Sequence, residues 1–147
     1  MFTRLLESRL PTTSFFLFGP RQVGKSTLLK TVHADLTIDL LNPELQLSYN
    51  KNPNLLLQQA KAVAPSSTII IDEVQKVPRL LDVIHACIEQ DPSTRFILCG
   101  SSARKLRHGS SNLLGGRAVY RSMHPLTMKE MGHHFQLPLV LFYGSMP

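Results

Sequence analysis

Ser14-Phe15-Phe16-Leu17-Phe18-Gly19-Pro20-Arg21-Gln22-Val23-Gly24-Lys25-Ser26-Thr27 is the stretch on which the fold turns. Its first five residues are almost wholly apolar, as in a strand buried on both faces of a parallel sheet. A turn follows, and then a helix is expected over residues 25–32. The segment from Gly19 to Ser26 satisfies the pattern G-x-x-x-x-G-K-[ST], which a chain of average composition and this length would meet by chance roughly half a per cent of the time. The spacing has a chemical reason. Glycines let the loop curl so that successive backbone N–H groups face inward as an anion nest, and the helix that follows points its N-terminus at the same place. Lys25 can then reach β- and γ-phosphate oxygens, and the Ser26 hydroxyl can sit on Mg²⁺. Gly19, Pro20, Arg21, Gln22, Val23, Gly24, Lys25, Ser26 and Thr27 are therefore the expected nucleotide contacts.

Outward from this loop, apolar runs alternate with helical stretches. Strands are expected at residues 36–41, 68–71, 95–99 and 118–121, and helices at 1–10, 54–64 and 78–90. Asn42-Pro43-Glu44 reads as a turn, and residues 101–116 as a polar loop or short helix. Such alternation specifies right-handed βαβ crossovers: a three-layer α/β fold on a mainly parallel five-stranded sheet. Ligands of such sheets bind beyond the carboxyl ends of the strands, where the polar motifs of this chain also fall.

Asp72 and Glu73 directly follow the β-branched run Thr68-Ile69-Ile70-Ile71. At a strand tip Asp72 can hold Mg²⁺ opposite Ser26, and Glu73 can orient and polarise the water that attacks a γ-phosphate. Cys99-Gly100-Ser101-Ser102 ends the fourth strand in small polar residues, one of which could touch the γ-phosphate or that water. Arg104 and Arg117 could stabilise charge on the transferring phosphoryl group, in cis or across a subunit interface of a homo-oligomer. The absence of an Asn-Lys-x-Asp guanine-reading motif leans toward ATP over GTP.

Composition bounds the rest. The 147 residues, 43% hydrophobic, suffice for one buried core, and no apolar run approaches the roughly 20 residues needed to cross a bilayer. Two cysteines, Cys87 and Cys99, make no disulfide framework and read as buried thiols of a cytoplasmic protein. The adjacent His133 and His134 lack the surrounding ligands of a metal site. Residues 1–91 are electrically neutral, so the whole net charge of +6 lies in residues 92–147. That region could serve nucleic acid, frame nucleotide phosphates or face an acidic protein partner, although its few aromatic residues do not recur among the cations as a series of base-stacking platforms would require.

In order along the chain, Gly19 to Thr27, Ile71-Asp72-Glu73-Val74-Gln75-Lys76-Val77-Pro78, Gly100-Ser101-Ser102 and Leu114-Gly115-Gly116-Arg117 resemble the AAA-like P-loop ATPases of bacteria and archaea that carry an uncharacterised C-terminal domain. Pro125-Leu126-Thr127 with Glu130 is similar to that family's segment after the fifth strand. The resemblance implies ATP hydrolysis with Mg²⁺. Lys25 and Ser26 would be nucleotide and metal contacts, Asp72 the metal-binding acid and Glu73 the catalytic acid. Ser101 or Ser102 would be a polar sensor, and Arg117 a recurrent family arginine. It also implies an ATPase core over residues 1–132, with 133–147 the start of a further module cut short at Pro147.

Overall fold

Hydrogen bonding in the computed structural model, which describes residues 2–101, 106 and 114–147, joins the apolar runs into one sheet. Its strands are β1 (Phe15–Phe18), β2 (Leu36–Asp39), β3 (Thr68–Asp72), β4 (Arg95–Gly100) and β5 (Val119–Ser122). All neighbours are parallel, in the order β2-β3-β4-β1-β5. The register pairs Phe18 with Gly100 and with Ser122, and Ile71 with Leu98. The carboxyl ends of β1, β3 and β4 therefore share one edge.

Side chains alternate across the sheet, and each face has its own core. Phe16, Ile38, Ile69, Ile71, Phe96 and Leu98 lie on one face. They are covered by α2 (Pro43–Lys51), α3 (Leu55–Ala62) and α4 (Leu80–Gln90). In α4 the buried residues are Leu80, Leu81, Ile84, Cys87 and Ile88, the spacing of a single helical stripe. Phe15, Leu17, Ile70, Ile97 and Cys99 lie on the other face, against Leu28 and Leu29 of α1 (Lys25–Leu29) and Met123. Three layers result, as the alternation required. α5 (Met128–Met131) and α6 (Leu137–Tyr143) follow β5.

Three expectations need correction. The helix expected over residues 1–10 is only a 3-10 turn, Glu7–Arg9. The segment is tied elsewhere: the Arg4 guanidinium donates to the carbonyls of Val23 and His124 and to Glu130, whose carboxylate also accepts from Leu5 N–H. The helix after the loop is regular only to Leu29. Thr31 and Val32 donate three residues back, and the Thr31 hydroxyl takes the Leu28 carbonyl that a further α-turn would use. Asn42-Pro43-Glu44, read as a turn, opens α2. The Asn42 side chain accepts from Glu44 N–H at 2.9 Å, and Pro43 stands in the first turn, where its missing donor costs nothing.

Candidate functional site

The loop 19–27 leaves β1 in a shape that two glycines make possible. A Cβ on Gly19 would lie 2.2 Å from the Met123 carbonyl oxygen, so the chain after β5 closes directly over it. Gly24 has φ +90° and turns the chain into α1, while Gln22 is also left-handed at φ 63°. Left-handed residues at these two positions curl the loop, which leaves Val23 fully buried as its anchor in the core.

Lys25, only 7% exposed, donates to the Gly19 carbonyl at 2.6 Å and the Pro20 carbonyl at 2.7 Å. The ammonium is thus satisfied within the curl of its own loop, positioned for an anion seated there. The Ser26 hydroxyl donates to Asp72 Oδ2 at 3.0 Å, joining the first turn of α1 to the tip of β3 across β4. Asp72 Oδ1 accepts from Glu73 N–H at 2.8 Å, which sets the carboxylate's plane. Beneath it lies the Cys99 thiol: burial first, then the Asp72 carboxylate it hydrogen-bonds, pushes that thiol far up and keeps it neutral.

These groups suit a hard cation. A hydroxyl and a carboxylate oxygen in contact are the donors Mg²⁺ takes from protein, its other positions falling to phosphate oxygens and water. Among the described residues no cluster of three or more His, Cys, Asp or Glu could cage a metal without such help. Ser26 and Asp72 are the residues that would hold the ion.

Glu73 is left-handed, at φ 54° and ψ 41°, a conformation that costs a non-glycine residue on the order of 1–3 kcal/mol and recurs at functional sites. Its carboxylate Oε2 accepts from the Gln75 amide, whose Nε2 also donates to Ser101 Oγ at 3.3 Å. A cavity of about 820 Å³ runs from Glu73 past Lys25, Ser26 and Thr27 to Arg4 and Arg21, which suits a nucleotide-sized ligand.

The structure thus brings the loop, Lys25, Ser26, Asp72, Glu73 and Ser101 together at one edge. Arg117 is not brought there. It precedes β5, on the opposite edge of the sheet from Gly19, and pairs with Glu89 near the end of α4. Within one chain it does not reach the loop. Ser102 and Arg104 lie outside the described residues. Sequence reasoning missed Arg4, a buried cation that lines the cavity and holds the loop carbonyl of Val23 at 2.9 Å. Its partner Glu130 lies 126 positions away, so no local pattern marks the pair.

Comparison with known proteins agrees with the fold. A family model described as an AAA domain matches residues 12–132. No curated protein matches the chain. Among solved structures it is similar to the Walker-type ATPase PABY2304 of Pyrococcus abyssi, with a TM-score of 0.57 and 19% identity over 88% of this chain and 55% of that one. It is also similar to the ORC1 protein of Aeropyrum pernix, solved in complex with DNA, with a TM-score of 0.55 and 10% identity over 86% of this chain and 43% of that one. The ORC2 protein of the same organism, solved as ADPNP–ADP complexes, gives a TM-score of 0.55 and 16% identity over 87% of this chain and 46% of that one. The chain spans about half the length of these structures, and at such identities the likeness speaks for the fold. The chain belongs to the AAA-domain family, and its fold is that of an AAA-like P-loop ATPase core.

Proposed function

We propose that this domain binds Mg-ATP in the loop 19–27 and hydrolyses it to ADP and phosphate. The observation that carries the reading is the contact between Ser26 and Asp72 beneath the loop, with Glu73 next along the chain and facing the same cavity. Loop amides and Lys25 bind the phosphates, and Ser26 with Asp72 would hold Mg²⁺, which when bound offsets charge on the phosphate oxygens. The water oxygen bonds to the γ-phosphorus as the bond from that phosphorus to the β–γ bridging oxygen breaks. ADP leaves with the bridging oxygen. Glu73 accepts the proton of the attacking water and passes it to the released phosphate or to solvent. Ser101 touches the γ-phosphate from the tip of β4. Arg117, remote from its own loop, acts in this reading only from a neighbouring copy in a homo-oligomer.

Turnover measured beside affinity tests the assignment. Glu73→Gln should keep ATP affinity within roughly 3-fold and lower kcat by about 10²–10⁴. Unchanged turnover would remove Glu73 from the chemistry. Tight binding with no Glu73-dependent turnover in the wild type would favour a nucleotide-gated binding module instead.

Residues 133–147 are proposed as the start of a further module, a reading supported by α6, whose Leu141, Phe142 and Tyr143 are each at least 77% exposed. A protein partner or that module would cover them. Nucleic acid is a weaker proposal for the basic region, since Arg95 lies over the Phe15 ring and Arg117 pairs with Glu89. The buried free thiols Cys87 and Cys99 accord with a cytoplasmic setting.

A further inference from the structure

The tip of β4 is shaped around one amide. Gly100 has no unusual backbone conformation that would demand glycine, yet a Cβ there would lie 2.5 Å from Gln75 Oε1. The Gln75 side chain therefore lies directly on the Gly100 backbone, folded back from the 3-10 turn Val74–Lys76 toward the strand end. Its orientation is fixed chemically. A carboxylate only accepts hydrogen bonds, so the nitrogen end must face Glu73, and the oxygen end is then the one set against Gly100. From that position Nε2 spends its two protons on Glu73 Oε2 and Ser101 Oγ. Glu73 Oε1 takes no such bond, and Glu73 lines the cavity beside Lys25 and Ser26.

We infer that Gln75 is the positioning residue for the hydrolytic carboxylate: one amide ties Glu73 to Ser101, fixing where the second Glu73 oxygen meets water and making that placement depend on what Ser101 touches. The inference rests on the hydrolytic reading of the site. A flexible glutamate swings through several rotamers, and one anchored oxygen leaves the other confined to a small arc, the kind of pre-orientation on which a proton acceptor's efficiency depends. A γ-phosphate that draws the Ser101 hydroxyl toward itself pulls on the same amide, so the base is set when the triphosphate is present. ADP, lacking that phosphate, leaves the amide untouched.

Gln75→Met, close to isosteric but without donors, separates positioning from packing. It should lower kcat at least roughly 10-fold while KM and the calorimetric Kd for ADP stay within about 2-fold, because the Gln75 amide bonds Glu73 and Ser101 rather than the phosphate-binding loop. Its Tm should hold within roughly 3 °C, since volume is conserved. Gly100→Ala should produce the same pattern by displacing the amide without touching Glu73. In the double variant Gln75→Met with Ser101→Ala, the two losses should fall short of additivity, as they remove one bridge. Wild-type-like kcat in Gln75→Met, strictly additive losses, or a deficit that appears equally in ADP affinity would overturn the inference. If the wild type itself fails to turn ATP over, the hydrolytic reading fails first and this inference with it. Turnover that Glu73→Gln abolishes and Gln75→Met spares sinks the inference alone.

Discussion

At the scale of single residues, the site is an arrangement of oxygens and one ammonium around a curled backbone. Asp72 takes the Ser26 hydroxyl on one oxygen and the Glu73 amide on the other, so its carboxylate is held in one orientation. Asp72→Asn should keep the fold while erasing most of the gain in ATP affinity that Mg²⁺ brings; calorimetry with and without Mg²⁺ would read it, and an undiminished gain would exclude Asp72 as a ligand. Gly19→Ala should be damaging for a different reason. Its added carbon meets the Met123 backbone carbonyl oxygen at 2.2 Å, and neither can rotate away, so the loop or the chain after β5 must shift. Lower Tm and weaker ATP binding together are the expected signature, and a variant normal in both would contradict the close approach. The loop and the acidic pair were legible in the sequence because their chemistry requires contiguous residues at fixed spacing. Gln75 stood in a run that was recognised, but its task depends on lying over Gly100, 25 positions on, and spacing does not encode that.

At the scale of elements, strands proved more legible than helices. β1, β3 and β4 are short and mostly buried, so hydrophobicity alone marks them, as Phe15-Phe16-Leu17-Phe18 shows, whereas β2 and β5 are mostly exposed. α2 buries only Tyr49 of its nine residues, which leaves almost no stripe to detect. Its evidence lay in the cap, where Asn42 and Pro43 signal a start as readily as a turn. Asn42→Ala should cost about 1 kcal/mol in urea denaturation, and a neutral result would show the cap to be idle. The 3-10 turn at the N-terminus was hidden because Arg4 ties its segment to partners more than a hundred residues away. The tether also carries a pH dependence. Burial alone would raise the Glu130 carboxyl, but the N–H groups of Thr127 and Leu5, the Thr127 hydroxyl and Arg4 outweigh it and hold it below its ordinary value. A depressed carboxyl stabilises the fold fully above the ordinary glutamate range, and the contribution is lost as pH falls through the folded value. Glu130→Gln should therefore flatten the loss of stability between about pH 5 and pH 3 relative to wild type. Parallel pH–stability curves would refute it.

For the whole molecule, the strand order explains why distant motifs converge. β4 lies between β1 and β3, so the loop after β1, the acids after β3 and Ser101 after β4 meet at one edge with no further device. Because β5 runs parallel to β1, Arg117, which precedes it, lies at the far edge from Gly19, a separation that the linear sequence hides because both positions adjoin strands that pair. Everything functional rests on the loop 19–27 and Lys25 closing round a triphosphate. The direct measurement is titration calorimetry of a non-hydrolysable ATP analogue with Mg²⁺ on wild type and Lys25→Ala. Saturable one-site binding in the wild type, weakened about 100-fold or more in the variant, is the predicted result, since the substitution deletes the buried cation held within the loop. Equal affinity in the two proteins, or no binding by the wild type, would contradict the account.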